Sequence, residues 1–134
     1  MLKYGCCLLL FFLSMTLAAQ ERPKGIVVAH DQPRIQYGTA SYYSNKFQGR
    51  PTASGVPYDK TKFTCAHNGL PLNTWVKVTN LRNGRSVVVK VTDRLHHRNK
   101  RLVDLSGAAA AKLGYLKRGL TRVRLEVLDH APED

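Results

Sequence analysis

The sequence is short of acid. Its 134 residues hold 9 Asp and Glu against 21 Lys and Arg, a net charge of +12. An excess of that size speaks for an anionic partner and says little about fold. Cysteine is scarcer still, limited to Cys6, Cys7 and Cys65, which excludes a disulfide-dense mini-protein. There is one Trp, no internal repeat and no low-complexity block, so solenoid and collagen-like chains are excluded. The apolar stretch of residues 6–19 carries no charge over 14 residues and is too short for a spanning helix, which needs roughly 20. No phosphate-cradling glycine loop, nucleophile-elbow serine or zinc-spaced ligand set occurs. Apolar residues are not lacking: 43% is a globular proportion and argues for a single packed domain.

The short apolar run has its own reading. Lys3 precedes it, and Ala18 and Ala19 close it, the pattern of a secretory signal peptide cleaved after Ala19. Cys6 and Cys7 stand at the start of the run rather than at its end, so no lipid anchor is expected. The exported chain, placed in the periplasm or cell envelope, then keeps only Cys65 and forms no internal disulfide. Its 115 residues suffice to hold together by core burial. Cys65, flanked by Thr64 and Ala66, reads as a buried, inert thiol. The exported chain carries 20 basic and 9 acidic residues, +11. Outside the cytosol that charge suits muramic-acid glycans, teichoic acids or lipid head groups better than nucleic acid. No stable membrane insertion is expected after cleavage.

Residues 20–36 are polar, contain Pro23 and Pro33, and read as a flexible N-terminal arm. Residues 37–129 carry the folded domain and residues 130–134 a tail. Strand patterns cover residues 36–43 and 75–79. Asn83-Gly84 then marks a hairpin turn. Residues 87–91 are almost continuously apolar and predict a strand buried on both faces. Residues 121–128 alternate, with Val123, Leu125 and Val127 on one face and Arg122, Arg124 and Glu126 on the other. One helix is evident over residues 106–114: Ser106 as N-cap, four alanines, Gly114 as the stop. Together these describe an all-β fold, a small closed or near-closed barrel with one short helix.

Acids in the folded region are Asp59, Asp93, Asp104, Glu126 and Asp129. Glu126 lies on an outer strand face and Asp129 follows that strand; both read as solvated. Asp59, in the turn-rich Gly55-Val56-Pro57-Tyr58-Asp59, reads equally as an Asx-turn residue. Asp93 ends the valine-rich strand and suits pairing with Arg94 or Arg101. Asp104 stands just before the helix, whose N-terminus would lower its pKa while burial in a cleft would raise it. The sequence leaves that balance open. His67 opens a loop beside Asn68-Gly69. His96-His97 belong to a basic loop, residues 94–101, and make a poor metal pair without further ligands, so that loop reads as anion-contacting or solvated. No metal or cofactor is expected.

The segments share an order. Gly38-Thr39-Ala40-Ser41-Tyr42-Tyr43 is followed by Phe47-Gln48-Gly49-Arg50-Pro51-Thr52-Ala53-Ser54-Gly55, then Tyr58-Asp59, Thr64-Cys65-Ala66-His67, Asp93-Arg94 and Arg101-Leu102-Val103-Asp104-Leu105-Ser106. Over about residues 37–128 this resembles the rare lipoprotein A (RlpA) family. The resemblance implies a six-stranded double-psi β-barrel, shared with expansins and MltA-type lytic transglycosylases. It also implies action on peptidoglycan glycan strands lacking stem peptides, by non-hydrolytic cleavage that forms 1,6-anhydromuramic acid. One carboxyl can serve both steps of that reaction, whereas hydrolysis usually needs two. Asp104 is the expected acid/base. Asp59 and His67 match family positions associated with activity, for orienting the sugar or stabilising an oxocarbenium-like transition state. Tyr42, Tyr43 and Tyr58 are expected to offer faces to sugar rings, and Arg50 to contact a muramic carboxylate. Thr52, Asp93 and Arg94 complete the expected substrate-binding set.

Two departures stand out. The family has Glu in the slot that Val56 fills here, and Gly-Pro where this chain has Leu95-His96. Val56 favours a second reading, a non-catalytic glycan-binding or expansin-like wall barrel. Retention of Asp59, His67, Asp93 and Asp104 together favours the enzyme.

Overall fold

A computed structural model describes residues 32–133. The expected signal peptide, residues 1–19, and residues 20–31 of the expected arm lie outside the described residues. In chain order the elements are β1 (Ile35–Tyr42), a 3-10 turn (Asn45–Phe47), β2 (Thr64–His67), β3 (Trp75–Asn80), β4 (Ser86–Asp93), β5 (Val103–Leu105), α1 (Gly107–Leu113) and β6 (Thr121–Val127). The strands close in the order β1-β5-β2-β4-β3-β6, with β6 returning to β1. The β1/β5 and β2/β4 pairs are parallel and the other four are antiparallel. Among the described residues closure leaves no strand edge unpaired, which a small sheet needs to avoid edge-to-edge association. The expected six-stranded double-psi barrel with one helix is the fold observed.

Alternation decides which face turns inward. Val76 and Val78 of β3, Val87, Val89 and Val91 of β4, and Val123, Leu125 and Val127 of β6 fill the interior. The valine run of β4 differs from its expected two-sided burial: Val88 and Lys90 are half-exposed. Valine at both parities hides a period of two, and this barrel has a single interior for β4 to face. The first strand also opens earlier than the arm boundary at residue 36 suggests, because Ile35 and Gln36 already pair with Glu126 and Leu125.

The helix plugs the barrel. Ala109, Ala110 and Leu113 join the core, and small side chains let α1 sit close. Ser106 Oγ accepts from the Ala109 amide at 3.3 Å and donates to the Lys62 carbonyl at 2.6 Å. At the other end Gly114 adopts φ 77°, and a Cβ there would stand 2.8 Å from the Arg85 guanidinium. The amides of Asn80 and Asn83 both donate to the Leu113 carbonyl at 2.9 Å. The β3–β4 hairpin thus caps the helix that the next segment supplies.

Candidate active-site cleft

Strand register builds the site. Ser41 of β1 pairs with Asp104 of β5, Asp104 with Ala66 of β2, and Ala66 with Asp93 of β4. One row therefore crosses four strands with an acid on each side of an alanine. A bulge between Cys65 and Ala66 makes this row, since it shifts the β2/β4 register so that Ala66 meets Asp93. Strands lie about 4.8 Å apart, so the backbones of the two acids are about 10 Å apart. Above the row opens a cleft of about 650 Å³ lined by Tyr42, Tyr43, Phe47, Arg50, His96 and Arg101, among others.

The two acids are held differently. Asp93 accepts three hydrogen bonds: Tyr43 Oη at 2.6 Å on Oδ2, and the amides of Ala53 at 2.9 Å and Arg94 at 2.8 Å on Oδ1. Asp104 accepts none at Oδ1, although that atom is covered. Arg101 Nε lies 3.4 Å from it, near enough to attract but not aligned as a hydrogen bond. The Asp104 side chain is 16% exposed, and burial raises its pKa more than Arg101 lowers it. The balance that the sequence leaves open is settled by desolvation.

The aromatic residues divide. Tyr43 spans the cleft wall, and burial together with its bond to Asp93 pushes the phenol far above its usual pKa. Tyr42 lines the cleft too, with its hydroxyl tied to the Leu116 carbonyl at 2.6 Å. Tyr58 is only 4% exposed. Its ring stacks on Tyr43 with centroids 4.4 Å apart and its oxygen accepts from the Gly107 amide, so it backs Tyr43 rather than facing the cleft. Lys46 and Arg50 lie over the Phe47 ring at 5.3 and 5.2 Å, which makes that rim cationic.

Besides Tyr58, four expected site residues stand elsewhere or are already engaged. Asp59 forms an Asx turn, accepting from the Thr61 amide at 2.9 Å and hydroxyl at 2.7 Å, and these bonds lower its pKa. It lines a separate recess with Val56. Thr52 builds the neighbouring tight turn by donating to the Val56 carbonyl at 2.6 Å. Arg94 reaches the cleft, but its guanidinium donates to the carbonyls of His67 at 2.8 Å and Leu70 at 2.6 Å. His67 is the last residue of β2 rather than the first of a loop, and it is 1% exposed. It pairs with core residue Val103, so its ring lies on the opposite face of β2 from Ala66 and the cleft. The bonding pattern assigns its tautomer: Nε2–H donates to Gln36 Oε1 at 3.0 Å and Nδ1 accepts from the Leu70 amide at 3.4 Å. Burial, then the Arg94 charge, brings its pKa down to about 4.

The cleft also holds residues that sequence reasoning did not single out for it, Lys46, Phe47, Asn99 and Arg101. Arg101 carries a local signal, three positions before Asp104. Cys65 is fully buried and its thiol pKa is raised, as an inert core cysteine requires.

A closed six-stranded barrel of this topology defines a class, the double-psi β-barrel. The family profile described as lytic transglycolase matches residues 35–125, and the chain belongs to that family. The relatives carry the narrower name RlpA. The endolytic peptidoglycan transglycosylase RlpA of Haemophilus influenzae is 51% identical over 94 residues, 70% of this chain and 33% of that protein. RlpA of Pseudomonas aeruginosa is 52% identical over 92 residues, 69% of this chain and 27% of the relative. The chain thus spans about a third of the length of the curated relatives it matches. Among solved structures, Streptomyces papain inhibitor is similar with TM-score 0.58 and 29% identity, over 70% of this chain and 94% of that one. An expansin of Clavibacter michiganensis with cellohexaose shares the fold, TM-score 0.59 at 22% identity, over 75% of this chain and 53% of that one.

Proposed function

We propose that the chain is an exported lytic transglycosylase that cleaves peptidoglycan glycan strands, prefers strands lacking stem peptides, and leaves 1,6-anhydromuramic ends. The observation that carries this reading is Asp104: a carboxyl in the cleft, half-desolvated, with a raised pKa and one oxygen without a hydrogen-bond partner. A carboxylic acid so placed protonates the glycosidic oxygen as the bond to the anomeric carbon breaks. The resulting carboxylate takes the proton of the muramic C6 hydroxyl while that oxygen bonds to the anomeric carbon. The proton returns to Asp104 and no water enters. Asp93, oriented by three donors, supplies negative charge on the other side of the Ala66 floor, suited to an oxocarbenium-like transition state. Strands without stem peptides bear free lactyl carboxylates, which suit the cationic rim of Lys46 and Arg50.

The Val56 departure weighs less in this light. Val56 is 61% exposed on a turn and lines the Asp59 recess, so a carboxyl missing there leaves the Asp93–Asp104 row intact. The rival reading, a binding barrel without catalysis, keeps the same glycan contacts but makes no product.

Residues 20–134 incubated with intact sacculi and with amidase-stripped glycans, beside Asp104→Asn, test the reading. Mass spectrometry is expected to find anhydro ends from stripped glycans, reduced at least ~100-fold in the variant, the usual weight of a general acid. Reducing muramic ends would mean hydrolysis. Retention of glycan by both forms without product would establish the binding barrel.

A further inference from the structure

A second groove lies where β1 and β6 meet the turn after β3 and the loop before β6. It has a volume of about 440 Å³ and is lined by Leu81 and Leu120 with Arg82, Arg118 and Arg122. The two leucines are 46% and 48% exposed. No acid lines the groove, and none of the three arginines takes part in an ion pair among the described residues. The groove is not isolated from the cleft. A recess of about 390 Å³ shares Tyr42, Tyr43 and Ser44 with the cleft and is also lined by Gly119, flanked in sequence by Arg118 and Leu120 of the groove. Gly119, at φ 79° with no heavy atom within 4 Å of a built Cβ, forms a low saddle. Two bonds hold the saddle loop against β1: Tyr42 Oη to the Leu116 carbonyl at 2.6 Å, and Tyr115 Oη to the Ser41 carbonyl at 2.8 Å.

We propose that this groove is a remote subsite for the same glycan strand, in which Arg118 and Arg122, with Arg82, pair with lactyl carboxylates of muramic residues away from the scissile bond. The inference rests on the proposed function and deepens it. A strand leaving the cleft over Gly119 enters an acid-free trough of cations. Its charges recur along the polymer, so one strand can satisfy the cleft rim and the arginines together, and the leucines lie under the C–H faces of the sugar rings. Binding made away from the reacting atoms can be used to distort and align the sugar in the cleft. A stem peptide converts the lactyl carboxyl to an amide and removes the charge at both places.

The test is made in the Asp104→Asn background, so that ligands are bound but not cut. Affinities are measured for a denuded tetrasaccharide and for long denuded strands, with and without Arg118→Gln/Arg122→Gln. Both arginines are exposed, and melting curves check that the variant folds. The preference for long over short strands is expected to fall about tenfold in the double variant, the effect of two solvent-facing ion pairs of ordinary strength. An unchanged ratio with binding intact overturns this proposal alone. So does an equal loss with uncharged N-acetylglucosamine oligomers. If poly-glutamate binds through the two arginines while the glycan ratio stays constant, the groove is a site for acidic peptide and the proposal is wrong. If no glycan of any length binds or is cut by the unsubstituted chain, the proposed function falls with it.

Discussion

Asp93 and Asp104 share one row of the barrel and differ in what holds them. Asp93 has three donors, whereas Oδ1 of Asp104 has none. The consequence for stability has a definite sign. The folded-state pKa of Asp104 is raised above 3.8, so the native state binds that proton more tightly than the unfolded chain. Its favourable contribution is complete below about 3.8 and is lost as pH rises through the folded value. Above that folded value the ionised side chain therefore destabilises the fold. Asp104→Asn is expected to be more stable than the parent at pH 7 by about 0.5–2 kcal/mol while losing activity, the usual trade at a functional site. The gain should vanish below the ordinary aspartate pKa. Urea unfolding across pH checks this, and a variant less stable at pH 7 would contradict it. Asp104 was legible from its motif, but its isolation was not. The bulge at Cys65/Ala66 that sets the row is a product of strand pairing and leaves no mark in composition.

At the scale of elements, local signals were the readable ones. The helix is bounded by Ser106 and Gly114 as read, because a cap and a left-handed stop act within a few residues. The hairpin at Asn83-Gly84 is local for the same reason, with Gly84 at φ 76°. The short strands β2 and β5 escaped notice. With four and three residues they have too little pattern, and their partners are remote in sequence. Asn68-Gly69 makes His67 read as the start of a loop, yet it ends β2 with its ring bonded to Gln36. That position makes β2 sensitive to acid. A histidine depressed from 6.5 to about 4 favours the neutral ring in the fold, so stability is complete above 6.5 and falls as pH drops through 4. The span corresponds to about 3 kcal/mol. Unfolding free energies of the parent are expected to decline across that window, and His67→Gln is expected to flatten the decline. An equally steep decline in the variant would assign it to other groups.

At the scale of the whole molecule, charge dominates. The +12 excess was plain from composition, but its distribution was not: a cationic cleft rim and an acid-free arginine trough occupy different walls. Exposed cations act over roughly 10 Å at 0.1 M salt and over about 3 Å at 1 M. Affinity for denuded glycan is therefore expected to fall steeply between these salt levels, while affinity for uncharged oligosaccharide of equal length stays nearly level. Calorimetric titration at both ionic strengths reads the difference, and parallel salt responses would remove charge from the account of recognition.

The order in which the barrel closes has a further consequence, one of timing. Ile35 pairs with Glu126, and the row bearing the acids joins β1, β5, β2 and β4, which are scattered along the chain. No contiguous stretch of the polypeptide contains a finished half of the site. Such non-local pairing folds slowly, because long loops must close before any contact rewards them. A chain still being threaded from one end lacks β6 and with it the seam that holds β1 in place. The row bearing Asp93 and Asp104 therefore needs strands spread from Ile35 to Leu105, and its β1 end is held on both sides only when β6 pairs.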